Sequence, residues 1–475
     1  MNWVLIVSDT LRWDYLGFYG NDWIETPNLD KLASESAIFV DAYAEGLPTL
    51  PARRAILTGR PVSPARYIYQ HTDAVANFGW HPFFDQDVTA AEWLKEQGYC
   101  SGFVTDVYHM MKPGKNYHRG FDYWEWIRGQ EGDMYALRDK QQVMDLLAQT
   151  TLDPETTGAD HWVIQHLMLR KDWESDADTS VAKVMSAAAD WVDSYTLDKP
   201  FFLCVDCFDP HEPWDPPAEY AEIYYPDYEG LAGVAPPGLT ADVTEEQLDC
   251  IKAAYAGEVT LVDAWVGHLL ATLADEDLME DTVIVFTADH GTMLGERGEL
   301  HKGESRLRHQ CTRVPLLIRH PDGELAGEEI EGFVQHHDIL PTALGIMELN
   351  APERALGNDV WPMAAGEEQP ERDSVFIGWS RYCSVRTREW NLIVPMWEEF
   401  LGDEEPVREL YDLQADPEEL NNVIEEHPAV ARELAELAQE YIERQAPLTT
   451  GTIQEPDPTM SKDVTITFDA LPSEQ

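Results

Sequence analysis

Short apolar runs of strand length recur along this chain, separated by segments long enough for helices. Val4–Ser8 is the first, and Gly102–Thr105, Phe201–Phe208, Thr282–Thr287 and Val314–Ile318 follow. Runs of this length that are apolar on both faces predict strands buried between two layers. The intervening segments carry helix signals. Pro51–Thr58 reads as the start of a helix, and Thr89–Gly98 as a helix closed by glycine. Across residues 179–196, Val181, Val184, Met185, Ala188, Trp191 and Val192 fall on one helical face. Thr244 with Gln247 forms a capping-box pattern opening a long amphipathic helix to about Ala274. This alternation predicts an α/β fold: a large mixed, mostly parallel sheet with helices on both faces.

The pattern changes near residue 350. Residues 1–350 read as one large α/β domain, and 351–373, rich in Pro, Gly and Glu, as a linker. Strand-like segments follow at Ser374–Trp379, Tyr382–Thr387 and Trp390–Val394, with a helix at about 427–445. Residues 374–445 therefore predict a small C-terminal α+β subdomain, and 446–475 an acidic tail.

Charge sets the solvent rather than the chemistry. Acidic residues number 88 against 33 basic, a net charge of −55. With 16 Trp and 19 Tyr, disorder is excluded as the cause. The acidity is spread along the chain, as expected of a folded protein adapted to high salt. It disfavours nucleic acid and anionic membranes, which need a basic footprint. No run approaches the ~18–20 apolar residues of a membrane span. The N-terminus shows no basic segment or cleavage site, so a cytoplasmic location is expected. Cys204 and Cys207 lie inside an apolar run and read as buried thiols. A small anionic substrate stays compatible with this charge where a few cations line a local pocket.

Three predicted strands end in chemically capable residues: Asp9 after the first, Asp209-Pro210-His211-Glu212-Pro213 after the third, and Asp289-His290-Gly291 after the fourth. In open α/β sheets, ligands bind beyond the carboxyl ends of strands, so these groups are expected to meet. A lone aspartate after a strand is more often a turn or helix cap; the combination carries the argument. A hydroxyl nucleophile at a helix N-terminus sits in a field that stabilises an alkoxide, and Thr49 stands at such a place.

The segment Pro48-Thr49-Leu50-Pro51-Ala52-Arg53, closing on Thr58-Gly59, resembles the nucleophile signature of the sulfatase family of the alkaline phosphatase superfamily. The resemblance runs nearly end to end. It includes Thr26-Pro27-Asn28-Leu29-Asp30, Arg119-Gly120-Phe121-Asp122, His211-x-Pro213-Trp214, Asp289-His290-Gly291 with Gly295-Glu296 and Lys302, Asp338–Thr342 and Glu409–Leu413 with Asp416-Pro417. It implies hydrolysis of sulfuric or phosphoric esters, with one divalent metal held by Asp9, Asp289, His290 and Thr49. Arg53 would fork onto substrate oxygens, Lys302 would add a charge, and His211 would protonate the leaving group or hold a substrate oxygen.

The chain departs from the family at several places. Family sulfatases convert Cys or Ser to formylglycine, which Thr49 does not allow; a threonine instead favours phosphorus esters. Thr10 replaces a second aspartate and His290 replaces an asparagine, which favours manganese or zinc over calcium, though calcium stays admissible. The family's Lys-x-His pair is missing near Thr105-Asp106-Val107-Tyr108-His109, and His109 is a candidate for one member. Asp209 and His211 are the only neighbours offering a second metal site, so one metal is expected. His336 and His337 read as packing residues, and His301 and His309 stay unassigned. Competing readings are a catalytically inert anion-binding relative and a phosphoryl-transferring mutase. The charge itself generates a test. The melting temperature is expected to rise between about 0.1 and 2 M KCl as self-repulsion is screened; a flat or falling curve would remove the high-salt reading.

Overall fold

The computed structural model describes residues 1–68, 78–130, 133, 140–148, 162–171, 173–227, 234–367, 372–398, 401–452, 459–460 and 466–472. An eight-stranded sheet forms its centre. From edge to edge the order is Glu329–Ile330, Ala37–Phe39, Leu316–Arg319, Thr282–Ala288, Asn2–Ser8, Phe201–Cys207, Cys100–Thr105 and Tyr123–Trp126. Only Leu316–Arg319 runs against its neighbours; the other pairings are parallel. The sheet is mixed and mostly parallel, as the alternation predicted.

The three middle strands are buried along their whole length, which is why they read as unbroken apolar runs. Helix Ser180–Asp193 packs on strands Phe201–Cys207 and Cys100–Thr105 and on the long helix Glu245–Asp275. The predicted capping box is present, with the Gln247 amide donating to Thr244 Oγ1 at 3.2 Å. Asp263, inside the long helix, accepts the Leu29 amide at 2.7 Å and so caps helix Pro27–Ser34. Among the described residues no helix is long and apolar enough to cross a membrane.

A second sheet of five strands lies toward the C-terminus. Its order is Glu409–Asp412, Trp390–Pro395, Tyr382–Thr387, Ser374–Trp379 and, from far upstream, Gly46–Leu47. Gly378 and Trp379 pair with Gly46 and Leu47, the two residues before Pro48-Thr49. Helix Pro428–Gln445 packs on this sheet. Buried Glu45 accepts the Val62 and Ser63 amides at 2.7 and 3.0 Å and the Tyr441 hydroxyl at 3.2 Å. It ties that helix to the segment that positions Thr49.

Residues 351–367, expected as linker, are docked. Leu356 and Gly357 donate their amides to the Gly59 carbonyl at 2.7 and 3.0 Å, and Asn358 donates to Asp338 Oδ1 at 2.8 Å. A Cβ on Gly357 would collide with the His337 carbonyl, whereas one on Gly238 would meet open space. Gly357→Ala is therefore expected to lower the melting temperature by several degrees while Gly238→Ala leaves it unchanged. Equal melting temperatures would show that this docking is not rigid.

Candidate active site

Neighbouring strand ends build the floor of the site. Ser8 lies in register with Ala288 on one side and Cys207 on the other. Asp9 and Asp289 consequently emerge side by side at the carboxyl edge. Asp206, opposite Val7, stands one step further back on the adjoining strand.

Thr10 orients the two aspartates. Its hydroxyl donates to Asp9 Oδ1 at 2.7 Å and its amide to Asp289 Oδ1 at 2.9 Å. Its backbone sits at φ 62°, a left-handed conformation uncommon for threonine. The Tyr255 hydroxyl holds that turn by donating to the Thr10 carbonyl at 2.9 Å. The His290 amide also donates to Asp289 Oδ1, at 2.7 Å. With both Oδ1 atoms engaged, each Oδ2 is left for the centre. The His290 ring joins them: Nδ1 donates to the Gly291 carbonyl at 2.9 Å, and Nε2 lies 3.4 Å from Asp289 Oδ2.

One ligand atom from each of Asp9, Asp289 and His290 lies within 4.8 Å of the others, and all three residues are buried. Asp9 Oδ2 and His290 Nε2 have no hydrogen-bond partner. Buried acceptors without donors demand an explanation, and a cation supplies one. Two carboxylates with one imidazole suit manganese or zinc. These residues fit a divalent metal. Among the described residues this is the one such group. Asp209 is turned elsewhere, accepting the Val181 amide at 3.2 Å and the Gln130 side chain at 3.1 Å.

Arg53 enters the same space, but not as expected. Its fork is spent on Asp206, with Nε to Oδ2 at 3.0 Å and Nη2 to Oδ1 at 2.8 Å. Nη1 contacts Asp289 Oδ2 and lies 3.0 Å from Asp9 Oδ2. The sequence reading missed Asp206. The signal was a carboxylate inside the apolar run Phe201–Phe208, which must find a partner when buried. Burial pushes the Asp206 carboxyl up to about 6 despite the fork. Burial acts the same way on Asp289, but Arg53, His290 and the Thr10 amide outweigh it and hold that carboxyl at about 2. Removing Asp206 would take the forked partner from Arg53 and leave it only its Nη1 contacts with Asp289 and Asp9.

Thr49 is the first residue of helix Thr49–Thr58, which begins two residues before the predicted start. It is buried at 3% exposure. Its hydroxyl makes no hydrogen bond among the described residues. Arg53, four residues on, shares its helix face. The Tyr117 hydroxyl donates to the Leu50 carbonyl at 3.1 Å, which seats the loop around residues 114–118 against this helix start. Lys115 in that loop is fully buried and donates to the Trp80 carbonyl. It too was passed over, although Gly114-Lys115 just precedes Arg119-Gly120-Phe121-Asp122. His109 packs edge-on to Trp80, ring centroids 4.4 Å apart.

His211 and Lys302 meet at one side. The His211 Nδ1 donates to the Glu212 carbonyl at 2.7 Å, leaving Nε2 to accept from Lys302 Nζ at 2.9 Å. Lys302 also donates to both Glu212 carboxylate oxygens at 2.9 Å. The Lys302 charge contributes to lowering Asp289, which makes the loop and the cage one electrostatic unit. The other histidines serve the frame. His336 Nε2 donates to the Ala288 carbonyl at 2.9 Å, and burial lowers its ring to about 4. His337 lies beside Arg372, His301 bonds the Pro236 carbonyl, and His309 pairs with Glu419.

A sulfatase family profile matches residues 1–349. The chain belongs to the sulfatase family. A second profile, for the C-terminal part of N-sulphoglucosamine sulphohydrolase, matches residues 298–446. An arylsulfatase of Clostridium perfringens is 27% identical, over 89% of this chain and 90% of its own length. Mouse iduronate 2-sulfatase is 26% identical, over 74% of this chain and 70% of its own. Among solved structures, the phosphonate monoester hydrolase of Agrobacterium radiobacter superposes with a TM-score of 0.67 at 21% identity. The match covers 97% of this chain and 99% of that one. A protein solved with its substrate D-glucosamine-2-N,6-O-disulfate superposes at 0.69 with 20% identity, covering 96% and 99%. This sulfatase-family protein is an ester hydrolase by descent. Its cage makes a direct prediction: Asp9→Asn and Asp289→Asn lose the divalent metal that the wild type retains. Metal content after dialysis, read by elemental analysis, checks it; a variant that keeps a full equivalent would dissolve the assignment.

Proposed function

We propose that this protein hydrolyses phosphoric esters, with Thr49 as nucleophile and one divalent ion, manganese or zinc, held by Asp9, Asp289 and His290. The observation that carries the reading is the buried three-residue cage, which Arg53 reaches from the helix that Thr49 opens. Relatives named for sulfate esters and structural neighbours named for phosphonate monoesters bracket the substrate class. The threonine decides between them. The family's formylglycine route starts from Cys or Ser, and its release of sulfate by elimination is closed to a threonine sulfate ester, whose Cβ carries no second hydroxyl. A phosphothreonine, by contrast, is resolved by water attacking phosphorus.

The residues divide the work. The Thr49 oxygen attacks phosphorus as it gives up its proton, the bond to the leaving oxygen breaks, and in net terms that proton ends on the leaving oxygen. Water then attacks the phosphothreonine, releasing phosphate and restoring the hydroxyl. The helix N-terminus stabilises negative charge at Thr49 Oγ1 and on the attacked group. His211 is oriented by its Nδ1 on the Glu212 carbonyl and has Nε2 2.9 Å from Lys302 Nζ. It holds Lys302 in place, so the ammonium adds positive charge on this side of the site. When bound, the metal contributes Lewis acidity, lowering the pKa of the nucleophile and drawing charge from a substrate oxygen. The even spread of acidic residues supports work in concentrated salt.

Turnover of an aryl phosphate, an aryl phosphonate monoester and an aryl sulfate, measured in molar KCl with added manganese or zinc, tests the reading. Phosphorus esters are expected to react at least about tenfold faster than the sulfate. Thr49→Ala is expected to abolish turnover with the circular dichroism spectrum intact. Faster sulfate hydrolysis, or full activity of Thr49→Ala, overturns it.

A further inference from the structure

We infer that Arg53 is a placeholder cation in the metal cage, aimed by Asp206, and that an entering divalent ion displaces its Nη1 from Asp9 and Asp289. The inference rests on the metal-dependent reading above and adds what the cage does before the metal arrives.

Three carboxylates, Asp9, Asp206 and Asp289, are buried at 0–2% exposure around one guanidinium. Like charges this close in a low-dielectric interior need a cation at all times. Arg53 supplies it, and a planar guanidinium cannot choose its direction once its fork is bound. Because Nε and Nη2 are committed to Asp206, Nη1 must point at the other two.

Yet Arg53 does not complete the site. Nη1 lies 3.0 Å from Asp9 Oδ2 without making a hydrogen bond to it, and His290 Nε2 has no donor. The guanidinium meets part of the charge and leaves two ligand atoms unused. One positive charge among three negative ones also leaves an excess of two, the charge of one divalent ion. The chain departs from the family here, with Thr10 in place of the second aspartate. The carboxylate missing from that position has a counterpart in Asp206 on the adjoining strand.

Displacement has a consequence for the substrate. Asp206 keeps the fork and turns with it, so the guanidinium stays beside the cage while its Nη1 hydrogens lose Asp9 and Asp289 as acceptors. Those hydrogens are then free for an anionic substrate oxygen, which couples metal loading to anion binding. Asp206 is thus a positioning residue that acts through Arg53.

Calorimetric titration of chelator-treated protein with Mn²⁺ alone tests this on the wild type, Arg53→Met, Asp206→Asn and the double variant. Removing the competitor is expected to tighten Mn²⁺ binding about tenfold or more in Arg53→Met. Asp206→Asn is expected to weaken it, because Arg53 then bears wholly on Asp9 and Asp289. In the Arg53→Met background the same Asp206→Asn change is expected to have no effect. Unchanged or weaker binding by Arg53→Met overturns the inference, as does an equal loss from Asp206→Asn in both backgrounds. If Arg53→Met fails to fold, Arg53→Gln, which keeps a polar side chain without the charge, is expected to bind Mn²⁺ more tightly than wild type, and weaker binding overturns the idea. Binding only after Arg53 is removed would support the placeholder and overturn metal dependence of the native protein. No binding in any form overturns both.

Discussion

Carboxylates of like charge, buried together, are the constraint on which this structure turns. Asp9, Asp206 and Asp289 are driven into one dry space by the register of three adjacent strands. Such a cluster is tolerable only around positive charge. Everything near it serves that need: Arg53 from the helix that starts at Thr49, Lys302 from the loop beyond His290, and the ligand atoms left open for a metal. The proposed chemistry draws on the same requirement, because a site able to hold a divalent cation near a helix N-terminus would also suit a substrate oxyanion.

The second sheet has a part in this arrangement. Gly46–Leu47 pairs with Ser374–Trp379, so the strand leading into Pro48-Thr49 is clamped by a segment more than three hundred residues later. Trp379 at the end of that strand stacks on the His290 ring, with centroids 6.1 Å apart. Glu45 anchors the terminal helix to the same stretch of chain. The C-terminal region therefore helps fix where Thr49 and His290 stand. A left-handed Thr10, held by Tyr255, stores local strain at the opposite side of the cage.

Much of the architecture was legible because burial leaves a mark on sequence. The strands at Asn2–Ser8, Phe201–Cys207 and Thr282–Ala288 are apolar on both faces, and the capping box at Thr244 announces its helix. The strand ends also flagged Asp9, Asp289 and His290, since polar residues directly after a buried strand stand out. Asp206 did not stand out, because a single aspartate within an apolar run offers no spacing to read. The direction of the Arg53 fork was not legible either. An arginine four residues after a nucleophile is equally able to face substrate or a buried carboxylate. Lys115 was hidden because a lone lysine in a loop usually marks solvent.

Sequence alone determined which residue types are available and which face of each element must be buried, because hydrophobic periodicity is a local property. It also determined the helix-initial threonine and the loss of the second aspartate at position 10. Only the tertiary structure decided which strand lies beside which, that Leu316–Arg319 runs antiparallel, and that Asp206 rather than substrate receives the Arg53 fork. Those outcomes depend on the pairing of segments hundreds of residues apart. The energy that selects a partner for a buried charge depends on distance in space, which the order of residues does not encode locally.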